Sequence, residues 1–275
     1  MTAAKPTANN QPKKSGSTAL MTFLIIVGLY AIAYCIYKFV FGSPANFVDN
    51  DPSKDPLPGN YAGTVYKGGP IVPILMTAFF TVIVFVFERF ITLNKASGAS
   101  SADAFVRNIK GFLDRNDISG AVAACDKQKG AVANVVRAGL AKYSEMEKAT
   151  DLDKDQKVLA IQKEVEEATT LELPMLERNL SILATIASIA TLLGLLGTVL
   201  GMIRSFAALA NAGAPDSTAL ATGISEALIN TAFGIGGSLL AIVLYNYFST
   251  LIDGYTYKID EAGFSLVQSF AASTK

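Results

Sequence analysis

Two long apolar runs contain the polar residues of this chain that are most able to do chemistry. The first, SILATIASIATLLGLLGTVLGMIRSFAALA from Ser181, includes Thr198, and the second, ALATGISEALINTAFGIGGSLLAIVLYNYF from Ala219, includes Glu226 and Thr231. Each run exceeds the roughly 20 apolar residues that cross a bilayer. An ionisable side chain within a spanning helix costs about 2.5–3.5 kcal/mol, so its presence there indicates a role. The pattern predicts a membrane protein that handles an ion.

Composition excludes several other functions. The chain has 51% hydrophobic and 17% charged residues, no histidine and a net charge of zero. Without histidine, the common catalytic triads and imidazole metal sites are impossible, and a neutral chain does not favour a nucleic-acid partner. Cys35 lies in an apolar run and Cys125 in a charged one, so we predict neither a disulfide nor a metal site. There is no phosphate-binding loop with a lysine, and we expect no cofactor and no enzymatic activity.

The apolar runs predict an all-α membrane protein with four transmembrane helices and a helical cytoplasmic segment. The predicted spans are residues 17–41, 70–93, 180–210 and 220–252. Between and around them lie a tail at 1–16, a loop at 42–69, the helical segment at 94–179, a short loop at 211–219 and a tail at 253–275. A cleaved signal peptide is the alternative for the first run, but the 23 residues from Ala19 to Phe41 exceed the usual 7–15-residue apolar region. We therefore expect a retained helix.

The charged segment and the loops set the expected orientation. Residues 94–179 have apolar residues at helical spacing, and the last helix, from about Asp155 to Arg178, is expected to continue into the third span with a kink at Pro174. Lysine and arginine concentrate in the N-terminal tail and in this segment, whereas the loops at 42–69 and 211–219 have few or none. By the positive-inside rule, both termini and the large segment are cytoplasmic.

The third and fourth spans form a hairpin with small and hydroxyl-bearing faces. Thr198 lies 17 residues before Pro215 and Thr231 lies 16 after it, so both hydroxyls are expected at one depth, near mid-membrane. The same symmetry pairs Arg204 with Glu226 nearer the outer face. Two interpretations stay open for each group. The hydroxyls either pass protons or only pack helices, and Glu226 either belongs to an ion pathway or only pairs with Arg204.

The motifs of the hairpin resemble a known family. GLLGTVLGMIRSF (Gly194–Phe206), GISEALINTAFG (Gly223–Gly234) and YNYF (Tyr245–Phe248) are similar to the proton channels ExbB, TolQ and MotA. Upstream, Gly120-Ala121, Cys125, Gly130–Ala133 and Ala138–Leu140 resemble the cytoplasmic part of ExbB-type proteins. The likeness covers about Ile71 to Phe248 and points most directly to an ExbB-like protein.

The resemblance implies roles for particular residues. Thr198, Glu226 and Thr231 fall on family positions that line the ion pathway, and Asn246 falls on an asparagine near the inner end of the last span. Further residues are expected to support the pore or the packing: Thr191, Arg204, Ser205, Asn230 and Asn246. Three features depart from the family pattern, namely the additional helix at 17–41, Thr191 where a proline is frequent, and Arg204 where an uncharged residue is expected.

The resemblance also implies partners. They are an ExbD-type single-span protein carrying the titrating aspartate, a TonB-type protein, and further copies of the chain in a ring, a pentamer by analogy. The expected function is an inner-membrane proton-channel subunit that uses the proton motive force to energise outer-membrane transport. Two alternatives stay open: a TolQ- or stator-like ring for envelope maintenance or motility, on protons or sodium, and a non-conducting scaffold.

Overall fold

All regular secondary structure in the described part of the chain is helical. The computed structural model describes residues 15–211 and 217–273, and it contains no strand there. The predicted all-α class is confirmed. The helices are α1 Ser15–Cys35, extended by a π-helical turn Ile36–Phe41, α2 Tyr61–Tyr66, α3 Val72–Ser97, α4 Ala102–Leu113, α5 Ile118–Gln128, α6 Ala131–Lys148, α7 Lys154–Glu177, α8 Leu180–Asn211 and α9 Ser217–Ser273.

Four helical stretches within the described residues are long and apolar enough to cross a membrane, as the sequence predicts. They are Leu20–Phe41, Gly69–Leu113, Leu180–Ala207 and Leu220–Ser273. The last is part of α9, whose 57 residues extend for roughly 85 Å at 1.5 Å per residue. Residues 1–14 of the predicted N-terminal tail and residues 212–216 of the predicted loop, with Pro215, lie outside the described residues.

The chain divides into two compact units. The first contains the described residues up to Val82 together with Ser188–Ser238. In it, Ala33 of α1 packs against Val72 and Met76 at the start of α3. The predicted loop at 42–69 is more regular than its Pro-, Gly- and Asn-rich sequence suggests, because it contains two 3₁₀ turns and α2.

The second unit contains Ile83–Ala187 and the described residues from Leu239 onward. Its core joins α4, α5, α6 and α7 to the C-terminal part of α9. Helices α4, α5 and α7 of the charged segment begin at side-chain caps, since Ser101, Asp117 and Asp153 each accept a hydrogen bond from a backbone N–H of the following turn. The apolar faces that the sequence displays at helical spacing bury their residues against one another.

Two features of the second unit differ from the prediction. The segment 253–275 is not a separate tail, because α9 continues through it to Ser273 and buries Ile259, Leu266 and Phe270. The break before the third span is at Asn179, whose φ is +61°, and Pro174 lies within α7. The backbone turns at Asn179 because asparagine tolerates the left-handed conformation that ends many helices.

The break at Asn179 is held by a pair of charged residues on α3. The buried Arg89 guanidinium donates two hydrogen bonds to the Glu88 carboxylate and one to the backbone oxygen of Leu176, at 3.0 Å. Asn179 Nδ2 donates to the same carboxylate at 3.3 Å. These bonds satisfy a carbonyl at the C-terminal end of α7 that has no partner within its own helix.

Candidate functional site

Glycines allow the backbones of α8 and α9 to approach closely. A methyl group placed on Gly194 would lie 3.0 Å from the Cα atom of Gly234, and one placed on Gly201 would lie 2.9 Å from the backbone oxygen of Gly223. Such distances leave no room for a side chain at these positions. Small residues of this kind are what holds spanning helices together, since lipid gives them no hydrophobic reason to associate.

The close approach brings the hydroxyls of Thr198 and Thr231 into direct hydrogen-bond contact. Thr198 Oγ1 also donates to the backbone oxygen of Gly194, at 3.1 Å. When Thr198 uses its one hydrogen in that bond, Thr231 is the donor to Thr198, and rotation of both hydroxyls reverses the direction. A pair of this kind can accept a proton on one side and release one on the other, which is the chemistry that the sequence suggested for these residues.

The structure also brings Arg204 and Glu226 together as an ion pair. The pair is asymmetric, because the Glu226 side chain is only 11% exposed whereas the Arg204 side chain is 49% exposed. A buried carboxylate without a partner would be strongly destabilising, so the contact with Arg204 offsets the cost of burying Glu226 within an apolar helix. The geometry supports the pair that the sequence predicted, and it leaves both interpretations of Glu226 in place.

Asn230 and Ser205 are fully buried beside these pairs. Asn230 Nδ2 donates to the backbone oxygen of Gly68 at 2.9 Å, while its Oδ1 has no partner among the described atoms. A buried amide oxygen in this state is a typical position for an ordered water molecule. Ser205 Oγ is within hydrogen-bond distance of the backbone oxygens of Gly201 on α8, at 3.1 Å, and of Leu220 on α9, at 3.4 Å, so it supports the packing of the two helices.

The two remaining predicted supporting residues lie on α8 and α9. Thr191 is half-buried within the uninterrupted helix α8. Asn246 is exposed and belongs to the part of α9 that falls in the second unit. Among residues 15–211 and 217–273, no group of three or more cysteine, aspartate or glutamate side chains could hold a metal ion.

The turn before α3 contains contacts that the sequence analysis missed. Gly69 has a φ of +78°, and a Cβ atom at this position would collide with the carboxylate of Glu226. Glycine is therefore required here both by its backbone conformation and by the close approach of the side chain. The adjacent Gly68 supplies the carbonyl that binds Asn230. The sequence signal for these contacts is the pair of consecutive glycines before Pro70, which by itself predicts only a loop.

Comparison with known proteins bears on the family of this chain. The model of the MotA/TolQ/ExbB proton channel family matches residues 127–261. The chain is 30% identical over 175 residues to the Tol-Pal system protein TolQ of Pseudomonas aeruginosa, a match that covers 64% of this chain and 75% of that protein. It is 40% identical over 89 residues to the biopolymer transport protein ExbB of Pseudomonas putida, covering 31% and 27%. It is 41% identical over 73 residues to ExbB of Salmonella typhimurium, covering 26% and 30%.

These matches and the four apolar helices identify a multi-pass membrane protein. The family match covers both members of each pair in the hairpin, Thr198 with Thr231 and Arg204 with Glu226. The chain belongs to the MotA/TolQ/ExbB proton channel family and is a proton-channel subunit of the ExbB/TolQ type.

Proposed function

We propose that this chain is the inner-membrane subunit of an ExbB–ExbD–TonB-type motor that uses the proton motive force to energise transport across the outer membrane. The observation that carries the proposal is the direct contact between the Thr198 and Thr231 hydroxyls on two adjacent apolar helices. A gradient supplies about 2.3 kcal/mol per charge per 100 mV, so each proton that passes these groups delivers useful energy.

In this mechanism the chain supplies a passive route and a partner supplies the titrating group. The described part of the hairpin has one acidic residue, Glu226, and it is paired with Arg204. A charge fixed in this way is a poor carrier, because its protonation would leave the guanidinium without a partner. We therefore assign the carrier to an aspartate on an ExbD-type single-span protein, enclosed by a ring of copies of this chain. Thr198 and Thr231 then exchange protons with that aspartate.

The proposed orientation follows the distribution of basic residues. Both termini and the helical segment 94–179 are cytoplasmic, and the segment 42–69 lies on the periplasmic side. In this arrangement the Arg204–Glu226 pair is nearer the periplasm and the hydroxyl pair is deeper. Protons entering from outside therefore meet the ion pair first.

A TolQ-like role is the second candidate, and a specific observation favours it. The match to TolQ of Pseudomonas aeruginosa covers 75% of that protein, whereas the matches to the two ExbB proteins cover 27% and 30%. The same ring would then power envelope maintenance instead of uptake. The residues that conduct would be unchanged, and only the load on the partner would differ.

The test uses threonine-to-valine substitutions, which keep the shape and remove the hydroxyl. Thr198→Val, Thr231→Val and Glu226→Gln are introduced into a strain that lacks its own gene for this chain. Growth on a nutrient taken up through an outer-membrane receptor and resistance to detergent are both measured. Thr185→Val is the matched control, because the exposed Thr185 hydroxyl donates only to its own helix, at the backbone oxygen of Ser181.

The outcomes separate the three functions. Loss of receptor-dependent growth with normal membrane levels supports the ExbB-like role, and loss of detergent resistance alone supports the TolQ-like role. Normal growth and resistance in Thr198→Val, Thr231→Val and Glu226→Gln would contradict a conducting role and leave a scaffold. The Thr185→Val control is expected to behave as the wild type throughout.

A further inference from the structure

The segment between α1 and α3 is fixed to the end of the first helix. Asn46 Nδ2 donates to the backbone oxygens of Val40 and Phe41, at 2.8 and 3.0 Å, and so caps the π-helical turn. Tyr37 Oη donates to the backbone oxygen of Tyr66 at 3.0 Å, and the two rings stack with centroids 4.8 Å apart. The first helix therefore holds the segment at both its start and its end.

The same segment touches α9 a few residues further on. The backbone oxygen of Gly68 accepts the hydrogen bond from the buried Asn230. At Gly69 the backbone lies against the Glu226 carboxylate so closely that only glycine fits. We call residues Tyr66–Gly69 the strap. Its four residues are held by Tyr37 from one side and by Asn230 from the other.

The strap explains the asymmetry of the ion pair. Counted over the whole residue, Glu226 is 9% exposed, although the side chain of its partner Arg204 is half-exposed. Gly69 lies against the Glu226 carboxylate. A hydroxyl on the first helix is thus connected to the burial of a carboxylate on the fourth through one short piece of backbone.

We infer that the first helix serves as a positioning element for the ion pathway, in which Tyr37 holds the strap over Glu226 and limits the access of water to its carboxylate. Tyr37 is a positioning residue, since it acts on Glu226 through the strap. The inference deepens the proposed function and rests on it for the meaning of Glu226. The geometry of the strap itself does not depend on whether the chain conducts protons.

The first test measures the access of water to Glu226 directly. The full chain, in its native membrane complex, is treated with a water-soluble carbodiimide and a small amine, and modification of Glu226 is followed by mass spectrometry. Tyr37→Phe removes the donated hydrogen bond and keeps the stacked ring. We expect the initial rate of Glu226 modification in this variant to be about 2- to 10-fold above that of the wild type. This factor is the increase in the population with a displaced strap that the loss of one hydrogen bond would cause. A rate equal to wild type would overturn the inference.

The matched control is Tyr34→Phe, one turn before Tyr37 on the same helix. The Tyr34 ring stacks on Tyr30 and is 49% exposed, so removal of its hydroxyl is expected to leave the rate unchanged. An equal increase in Tyr34→Phe and Tyr37→Phe would show a general loosening of the helix and would also overturn the inference. Glu226→Gln removes the reacting group and verifies that the signal comes from this site.

A second variant tests the other side of the strap. Asn230→Ala removes the donor to Gly68 and is also expected to increase the modification rate. An increase in Asn230→Ala with none in Tyr37→Phe would mean that α9 alone holds the strap, which would refute the role of the first helix. Thr198→Val is expected to abolish conduction and leave the modification rate unchanged. If Thr198→Val still conducts protons while Tyr37→Phe raises the modification rate of Glu226, the proposed function is rejected and the inference is kept.

Discussion

The C-terminal end of α9 offers the sharpest test of the fold, because the sequence predicts a cytoplasmic tail at 253–275 and the structure shows a packed helix there. Phe270 is 1% exposed and its ring meets the ring of Tyr143 edge to face, with centroids 4.8 Å apart. Beyond it, the Ser273 hydroxyl lies 3.0 Å from Tyr143 Oη. We predict that Phe270→Ala destabilises the second unit strongly.

The size of the effect follows from the burial of the ring. Removal of a fully buried phenylalanine side chain costs about 3–5 kcal/mol, because the transfer free energy is lost and a cavity remains. For a unit of this size, each kcal/mol lowers the unfolding midpoint by about 2–4 °C, so we expect a decrease of roughly 6–20 °C. The control is Phe264→Ala on the same helix, whose ring is 70% exposed. A surface substitution of this kind is expected to change stability by about 0.5 kcal/mol or less.

The assay uses a cysteine of the same core. Cys125 is 2% exposed and packs in the cluster that contains Phe270. Burial raises the pKa of the Cys125 thiol to about 12, with a smaller contribution from the charge of Asp126. In a Cys35→Ser background, a thiol-reactive fluorophore therefore stays unreacted in the folded protein at pH 7 and reports the unfolding of this unit on heating.

Two results would refute the reasoning. If Phe270→Ala unfolds within about 2 °C of wild type, the last turns of α9 do not stabilise the unit. If Cys125 reacts at 25 °C as fast as a free thiol, the core around it is accessible to solvent and Phe270 is not buried. An equal decrease in the unfolding midpoint of Phe270→Ala and Phe264→Ala would likewise contradict the packing of Phe270.

Three further predictions concern single positions. Gly69→Ala is expected to lower the free energy of unfolding by about 1–3 kcal/mol, because the φ of Gly69 is +78° and a side chain there would meet the Glu226 carboxylate. The measurement is the yield of folded protein in detergent, which should fall. The control is Gly28→Ala, which should be neutral or slightly stabilising because a Cβ atom at Gly28 would have nothing within 4 Å. Arg89→Met should lower the free energy of unfolding by about 1–3 kcal/mol, since it leaves the buried backbone oxygen of Leu176 without its donor. The backbone N–H of Gly120, and then the Ser119 hydroxyl, hold the pKa of Asp117 below its usual range. Its charge therefore stabilises the fold above pH of about 3.9, and the advantage over Asp117→Asn in unfolding experiments should disappear as the pH falls through the lower, folded-state pKa.

The sequence could locate the site because polar groups within apolar runs are costly and few. Thr198 and Thr231 were paired by counting residues from Pro215, a method that works because both helices rise 1.5 Å per residue. The same count placed Arg204 opposite Glu226. The structure brings both pairs together. Their functional roles stay predictions, since contact alone does not show that a proton passes.

The contacts that escaped prediction join residues distant in sequence through backbone groups. Asn230 binds a carbonyl 162 residues away, and Gly69 approaches Glu226 with its own backbone. Hydropathy and helical spacing describe side chains on one element, so neither reveals which backbone atom a side chain will meet. The C-terminal end of α9 escaped for a related reason. Ile259, Leu266 and Phe270 have helical spacing, but the lower apolar content after Ile252 predicts the end of the fourth span there.

The two pairs of the hairpin differ in a way that bears on the mechanism. The hydroxyl pair of Thr198 and Thr231 is neutral, and its hydrogen bond can reverse direction at little cost. The Arg204–Glu226 pair is charged and partly buried, so separating its members would leave a carboxylate in an apolar helix. A group held in this way can attract or orient an ion but is poorly suited to release one. The proposed mechanism therefore assigns proton transfer to the hydroxyls, and it assigns to the ion pair and the strap the conditions under which protons reach them.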